Sequence, residues 1–135
     1  MESEIMQKKQ NSRFKMHKIY LILDMTTKWR LILSEFSFSE VAVVQLRNKE
    51  ASDQQMFDWG KDLLDILPSG VTLIVNDRVD VARKLGVGLH LGMEDMNPKK
   101  AREILGDVVT IGLTIHDRLD LAEKYASYID YVGVG

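Results

Sequence analysis

Short apolar runs rich in β-branched residues alternate, after residue 18, with stretches whose apolar residues recur at helical spacing. This alternation is typical of repeated βα units, in which crossover helices join the strands of a parallel sheet. The runs are almost wholly apolar, so the strands are expected to be covered on both faces. Six strands are predicted, at residues 19–23, 41–46, 71–75, 88–91, 108–113 and 131–134.

Five helices are predicted between these strands. The second is the best specified, because Ser52 and Gln55 form a capping-box pattern before an amphipathic run. The fourth has a similar start, with Asn97 as the cap and Pro98 in the first turn. The first, from residue 27 to about residue 35, is ambiguous, since the apolar run within it could also form a strand.

Composition indicates one domain of an ordinary globular kind. The chain has 135 residues, of which 45% are hydrophobic, whereas a complete βα barrel needs roughly 250 residues. A net charge of −2 and a pI near 5.9 provide no basic field for nucleic acid. There is no cysteine, and no apolar run approaches the ~20 residues that span a bilayer. A cytoplasmic protein without nucleic-acid or membrane partners is predicted.

The first 18 residues differ from the rest of the chain. They carry five Lys or Arg against two Glu and show no helical or strand periodicity. We predict a disordered N-terminal extension at residues 1–18, followed by one domain at residues 19–135. A targeting peptide is the alternative, but Glu2 and Glu4 are unusual in such a segment.

Polar side chains follow the predicted strands at their C-terminal ends. Gln45, Arg47 and Lys49 are two residues apart, so they point to one face as long as the strand persists. An inward row that turns from apolar to polar at this end is expected at the mouth of a βα barrel, where active sites form. A solvated strand end is the alternative interpretation for the two cations.

Amide and carboxylate groups follow the next two strands. Asn76 and Asp77 directly follow the third predicted strand, and Asp95 lies shortly after the fourth. Together with the two cations, these groups would suit a polyphosphate held with a divalent metal. Each acid also has a structural alternative: Asp77 could cap the following helix, and Asp95 could be a turn residue.

Five sequence blocks occur in an order and spacing that resemble thiamine-phosphate synthase, a (β/α)8 TIM-barrel family. The blocks are residues 45–49 (QLRNK), 76–80 (NDRVD), 90–95 (HLGMED), 111–116 (IGLTIH) and 131–135 (YVGVG). The resemblance covers nearly the whole chain after residue 18. It implies an incomplete TIM barrel of about six βα units with parallel strands.

The resemblance also implies an activity. Members of this family join hydroxymethylpyrimidine pyrophosphate to thiazole phosphate and release pyrophosphate, in thiamine biosynthesis. By this resemblance, Arg47 and Lys49 would hold the pyrophosphate, with Asn76 donating a hydrogen bond to it. Gln45 and Thr114 would contact the pyrimidine.

A magnesium site is implied in the same way, with Asp77 and Asp95 as the ligands of Mg²⁺. A thiazole tautomerase of the same fold is the alternative enzyme, in which a histidine in the block that contains His116 transfers a proton. The Glu94-Asp95 pair favours the synthase, because the tautomerase needs no metal-pyrophosphate site.

The sixth predicted strand lies next to Gly135, the last residue of the sequence. A C-terminally truncated synthase domain is therefore expected, with open sheet edges that a second copy or a completing polypeptide would cover. The alternative is a non-catalytic remnant that binds magnesium-pyrophosphate or a partner protein.

Overall fold

The computed structural model of this chain describes residues 19–25 and 28–135. The predicted disordered extension at residues 1–18 lies outside the described residues, and so does Thr27, the expected start of the first helix. No helix in the described ranges is long and apolar enough to cross a membrane. The cytoplasmic location stays a prediction.

Strands and helices alternate along the described chain. The first half contains β1 (Ile19–Asp24), α1 (Trp29–Ser34), β2 (Val41–Arg47), α2 (Asp53–Ile66), β3 (Thr72–Asn76) and α3 (Val79–Leu85). The second half contains β4 (Gly88–Leu91), α4 (Pro98–Leu105), β5 (Ile111–Thr114), α5 (Leu119–Tyr125) and β6 (Tyr131–Gly133). The ambiguous first segment is thus a helix, and it buries Trp29 and Leu33.

The six strands form one parallel sheet in the order β1-β2-β3-β4-β5-β6. In a flat sheet the two outer strands would be about 24 Å apart, since each neighbour adds ~4.8 Å. Instead, the hydroxyl oxygens of Tyr20 on β1 and Tyr131 on β6 lie 2.5 Å apart. The sheet therefore curls into an open barrel, which confirms the predicted incomplete TIM-barrel fold.

The main core lies between the outer face of the sheet and the helices. Alternate strand residues, such as Val44 and Leu46 of β2 and Leu89 of β4, are fully buried there with Met56 and Leu63 of α2. The intervening strand residues face the inside of the curved sheet, because side chains alternate along a strand. This inner face carries the polar groups of the site.

The predicted helix starts are confirmed where a side chain caps the helix. The Ser52 hydroxyl accepts a hydrogen bond from the Gln55 amide at 3.1 Å, and Asn97 Oδ1 accepts one from the Lys99 amide at 2.9 Å. Pro98 occupies the first turn of α4. These bonds satisfy amides that the first helical turn leaves without a partner.

The predicted start of β5 at residue 108 is wrong. Val108 is 97% exposed, and the strand begins only at Ile111. The guanidinium of Arg102 donates to the carbonyl oxygens of Gly106 and Val109, which folds the intervening segment into a loop over the end of α4. A side chain of the preceding helix thus overrides the strand preference of a β-branched run.

Candidate active site

A cleft with a volume of about 960 Å³ opens at the C-terminal ends of the strands. It brings together all seven residues that the sequence singled out: Gln45, Arg47, Lys49, Asn76, Asp77, Asp95 and Thr114. The cleft has two chemically different sides. We call Arg47, Lys49, Asp77 and Asp95 the charged rim, and Tyr20, Gln45, His90, Thr114 and Tyr131 the neutral wall.

The cations of the charged rim follow β2 on a loop that Asn48 holds. The Asn48 Oδ1 atom accepts hydrogen bonds from the amides of Glu50 and Ala51, each at 3.0 Å. This turn fixes the backbone between Arg47, the last residue of the strand, and Lys49, which is exposed. Both cations line the cleft, so they supply positive charge on one side of it.

Arg78 is a site residue that the sequence analysis did not single out. Its side chain is only 17% exposed, and its guanidinium donates to the Asn48 carbonyl and to Asp53 Oδ1, each at 2.9 Å. These bonds connect the start of α3 to the loop that carries the cations. The one available signal was its place directly after Asn76 and Asp77.

Asp77 has an unusual backbone conformation. Its φ angle is +65°, and the Arg78 amide donates to the Asn76 carbonyl at 2.7 Å, which closes a γ-turn around Asp77. Positive φ is uncommon outside glycine, and this turn is rare and strained. The Asp77 side chain lines the cleft, and the N-cap of α3 is Arg78. The helix-cap interpretation of Asp77 is therefore wrong.

The Asp95 carboxyl lies next to that of Asp77 in the cleft. Its Oδ2 atom accepts a hydrogen bond from the Gly92 amide at 2.7 Å, so it also serves the turn after β4. The pKa of Asp77 is raised, first by burial and then by the negative charge and hydrogen bond of Asp95, while Arg78 and Lys49 partly oppose this. Two facing carboxylates of this kind favour a shared proton or a bound cation.

The donor set of the charged rim fits Mg²⁺ better than a metal that needs a full protein cage. No group of three or more His, Cys, Asp or Glu that could hold a metal occurs in residues 19–25 and 28–135. Mg²⁺ commonly uses one or two carboxylates and completes its shell with waters and substrate phosphate oxygens. Asp77 and Asp95 satisfy that requirement, and the structure leaves the metal role of the pair as a prediction.

The neutral wall is a continuous chain of hydrogen bonds. Gln45 Nε2 donates to the Tyr20 hydroxyl at 2.8 Å, and the hydroxyls of Tyr20 and Tyr131 bond at 2.5 Å. The Tyr131 hydroxyl lies 2.7 Å from His90 Nδ1, and His90 Nε2 lies 2.7 Å from Thr114 Oγ1. Five side chains from β1, β2, β4, β5 and β6 are thereby connected.

Strand register makes this connection possible. Asn76, His90, Gly112 and Tyr131 lie in one row across β3, β4, β5 and β6. Strands two apart in a sheet are about 9.6 Å apart, so Tyr131 must reach across β5 to contact His90. A Cβ atom at Gly112 would lie 2.0 Å from Tyr131 Cζ. Only glycine leaves room for the Tyr131 ring at this point.

The wall carries no charge at neutral pH. Burial lowers the pKa of His90, although the negative charge of Asp95 partly opposes this. Burial, followed by the interaction with the Tyr20 side chain, raises the pKa of Tyr131. Gln45 is 3% exposed. His90 is thus a hydrogen-bonded barrel histidine. Tyr20 and Tyr131 were missed from the sequence because tyrosines within apolar runs are usually core residues.

His116 lies on the same cleft and also has a positive φ, +52°. Its Nδ1 atom is 2.5 Å from the carbonyl oxygen of Gly135, to which it donates. His116 does not take part in the hydrogen-bond chain of the neutral wall.

Comparison with known proteins decides the family. The family model described as thiamine monophosphate synthase matches residues 19–135. The chain belongs to the thiamine monophosphate synthase family. This membership confirms the resemblance that the five sequence blocks indicated.

Individual relatives of the thiamine monophosphate synthase family agree with this assignment. The thiamine-phosphate synthase of Azorhizobium caulinodans is 38% identical over 123 residues, which cover 87% of this chain and 58% of that protein. The thiamine-phosphate synthase of Methanosarcina barkeri is 34% identical over 133 residues, covering 94% of this chain and 60% of that protein.

A solved structure of the same family is similar in fold. The thiamine phosphate pyrophosphorylase from Pyrococcus furiosus superposes with a TM-score of 0.73 at 29% identity, covering 90% of this chain and 61% of that one. This chain spans 43% to 60% of the length of the curated relatives it matches. Fold and family are therefore shared over the region that the chain contains.

Proposed function

We propose that this chain forms the pyrimidine- and pyrophosphate-binding part of a thiamine-phosphate synthase. The reaction would join hydroxymethylpyrimidine pyrophosphate to thiazole phosphate and release pyrophosphate. One observation carries the proposal: a charged rim with two cations and two facing carboxylates adjoins an uncharged hydrogen-bonding wall in a single cleft. A pyrimidine pyrophosphate has the same two-part chemistry.

The charged rim would bind and activate the leaving group. When the bond between the pyrimidine methylene carbon and the pyrophosphate oxygen breaks, negative charge grows on the departing oxygens. Arg47 and Lys49, on either side of the Asn48 turn, would lie near those oxygens, and Asn76 would add a hydrogen bond. Preorganised positive groups of this kind stabilise a transition state because they need not reorganise as the charge develops.

Asp77 and Asp95 would hold Mg²⁺ in this proposal. The ion, when bound, supplies positive charge next to the leaving phosphate oxygens. The two carboxylates would exchange their mutual repulsion for a shared attraction to the cation. The γ-turn at Asp77 and the hydrogen bond from the Gly92 amide to Asp95 keep both carboxylates on the cleft side of their loops.

The neutral wall would orient the pyrimidine ring. Gln45 and Thr114 stand at the two ends of the hydrogen-bond chain, and both line the cleft. Neither carries a charge, so neither would compete with the charged rim for the pyrophosphate. Thiazole phosphate is the proposed second substrate, and a second copy or polypeptide that completes the site stays a prediction. No observation favours the tautomerase alternative.

Product formation and ligand binding test the proposal together. The purified chain is incubated with Mg²⁺, hydroxymethylpyrimidine pyrophosphate and thiazole phosphate, and thiamine phosphate is sought by mass spectrometry. Calorimetry measures binding of the pyrimidine pyrophosphate with and without Mg²⁺. Asp77→Asn removes a carboxylate of the charged rim, and Asp65→Asn makes the same change at an exposed position late in α2.

Magnesium-dependent binding that Asp77→Asn abolishes and Asp65→Asn retains would support the proposed site. Product that disappears in the same variant would extend that support to catalysis. Folded protein that binds neither the pyrimidine pyrophosphate nor magnesium-pyrophosphate would contradict the proposal.

A further inference from the structure

We propose that Tyr131 is a positioning residue: acting through His90, it sets the direction of the hydrogen bonds in the neutral wall and makes the Thr114 hydroxyl a donor to the ligand. The ligand part rests on the function proposed above. The direction of the hydrogen bonds does not, because it follows from the side chains alone.

The first step concerns the Gln45 end of the chain. Gln45 Nε2 donates a proton to the Tyr20 oxygen. The Tyr20 hydroxyl can then donate its own proton to Tyr131, whose oxygen lies 2.5 Å away. If Tyr131 donated to Tyr20 instead, the Tyr20 oxygen would accept two hydrogen bonds. The hydroxyl proton of Tyr20 would then have no acceptor within the wall.

The second step concerns the His90 end. Since the Tyr131 oxygen accepts from Tyr20, its own proton goes to His90 Nδ1, 2.7 Å away. A neutral imidazole has one protonated nitrogen, so the proton of His90 is on Nε2 and is donated to Thr114 Oγ1 at 2.7 Å. Every link then contains one proton, and no buried side-chain polar atom in the described ranges lacks a partner.

The consequence falls on Thr114. Its oxygen accepts from His90, which leaves its own hydroxyl proton free to be donated into the cleft. A pyrimidine ring nitrogen is an acceptor and would match it. Gln45 keeps a second amide proton and its carbonyl oxygen for the ligand, because only one amide proton is used by Tyr20.

Tyr131 determines this order because it alone connects the two halves of the wall. Its ring lies over Gly112, with its centroid 5.6 Å from that of Tyr20 and 5.5 Å from that of His90. Removing the Tyr131 hydroxyl would separate Gln45 and Tyr20 from His90 and Thr114. The aromatic ring itself would still fill the space over Gly112 in a phenylalanine variant.

Nitrogen NMR tests the proton order without any ligand. In ¹⁵N-labelled protein at pH 7, we expect His90 to be neutral, with Nε2 protonated and Nδ1 unprotonated but hydrogen-bonded. His90→Gln identifies its signals among those of the three histidines of the sequence. Tyr131→Phe should move the Nδ1 resonance toward that of a nitrogen without a hydrogen bond. Thr114→Val should move chiefly the Nε2 resonance, and thermal melts verify that both variants fold.

A wild-type His90 protonated on Nδ1, or one doubly protonated at pH 7, would overturn the proposal. So would an Nδ1 resonance that stays unchanged in folded Tyr131→Phe. If Tyr131→Phe fails to fold, the tautomer of the wild-type histidine still decides the proton order.

Calorimetry then tests the positioning role. Tyr131→Phe should raise the Kd of hydroxymethylpyrimidine pyrophosphate with Mg²⁺ about five- to tenfold, the scale of one neutral hydrogen bond. The Kd of magnesium-pyrophosphate alone should stay unchanged, because the charged rim is untouched. Equal weakening of both ligands would indicate a general structural effect and overturn the role. If the wild type does not bind the pyrimidine compound, the proposed function and the ligand part fail, while the NMR result still decides the proton order.

Discussion

The two sides of the cleft differ in whether their polar groups are satisfied within the protein. The neutral wall is closed on itself, since each of its side chains has a partner within the protein. The charged rim is unbalanced, because its two carboxylates face each other at the cost of a raised pKa at Asp77. The hydrogen bonds of the wall are therefore formed without a ligand, whereas under the proposed function a bound cation would relieve the repulsion between the two carboxylates of the rim.

Removing a carboxylate from the charged rim should have the largest effect. We expect Asp77→Asn to weaken magnesium-dependent binding of pyrimidine pyrophosphate about 100-fold, or ~2.7 kcal/mol. Asparagine is chosen because it tolerates positive φ better than most residues. Calorimetry with and without Mg²⁺ measures the change, and Asp65→Asn should bind like the wild type.

Asp77→Asn should weaken ligand binding, but it should not weaken the stability of the ligand-free protein. The folded-state pKa of Asp77 is raised above its ordinary value of 3.8, so folding favours the protonated carboxyl. That stability is present at low pH and is lost as the pH rises through the folded-state pKa. Without Mg²⁺, Asp77→Asn should therefore be as stable as the wild type or more so at pH 7. A loss of stability at pH 7 would contradict the repulsion that we infer between the Asp77 and Asp95 carboxylates.

Displacing the Tyr131 ring of the neutral wall should lower the free energy of unfolding. In Gly112→Ala the new methyl group would meet the Tyr131 ring at 2.0 Å, so the ring must move and its hydrogen bonds must break. We expect a loss of about 2–3 kcal/mol in the free energy of unfolding, as for other overpacked sites. Urea denaturation measures it.

Gly70→Ala is the matched control for Gly112→Ala. A Cβ atom at Gly70 would have no neighbour within 4 Å, and we expect little change in stability. If both variants were equally stable, the Tyr131 ring would not depend on Gly112 for its place.

Salt sharpens the comparison between the two sides. Arg47→Gln should weaken binding of the pyrophosphate ligand about tenfold at low ionic strength, and by less at high ionic strength, because salt screens exposed charges. Thr114→Val should weaken binding by a factor that changes little with salt, since it removes no charge. Titrations at two salt concentrations separate them, and an equal salt dependence in both variants would remove the distinction.

Lowering the pH should produce the smallest change, through the loss of stability that follows protonation of His90. Burial lowers the pKa of His90 in the folded protein, so its contribution to stability is complete above the unfolded-state pKa of about 6.5 and declines as the pH falls below that value. Between about pH 7.5 and 5.5, the wild type should lose more stability than His90→Gln. Denaturation curves at several pH values measure the difference, and parallel curves would mean that His90 is not held neutral.

The sequence indicated all four residues of the charged rim, but only Gln45 and Thr114 of the neutral wall. Residues such as Arg47 and Asp77 directly follow apolar runs, so their charge and position are both visible in the sequence. Tyr20 and Tyr131 are 111 positions apart. Their contact depends on the curvature of the sheet, which no local pattern encodes.

Local sequence patterns predicted the elements of the fold, but they did not predict the side-chain and backbone contacts that change individual elements. The six strands of a parallel sheet follow from the alternation of apolar runs with helical stretches, and the structure confirms them. The start of β5 was misplaced because Arg102, a side chain of α4, holds the preceding segment in a loop. The alternative role of Asp77 as a helix cap is wrong, because a γ-turn sets its backbone direction and Arg78 is the N-cap.

The positive φ angles at Asp77 and His116 mean that backbone stability and the side chains of the cleft place opposite demands on these two positions. Glycine adopts such angles without the steric cost that a side chain incurs. Selection for heat resistance alone would therefore favour glycine at both positions and would erase a carboxylate and an imidazole from the cleft. Engineering of this scaffold should keep both positions unchanged and seek added stability elsewhere, such as in the exposed loop around Val108.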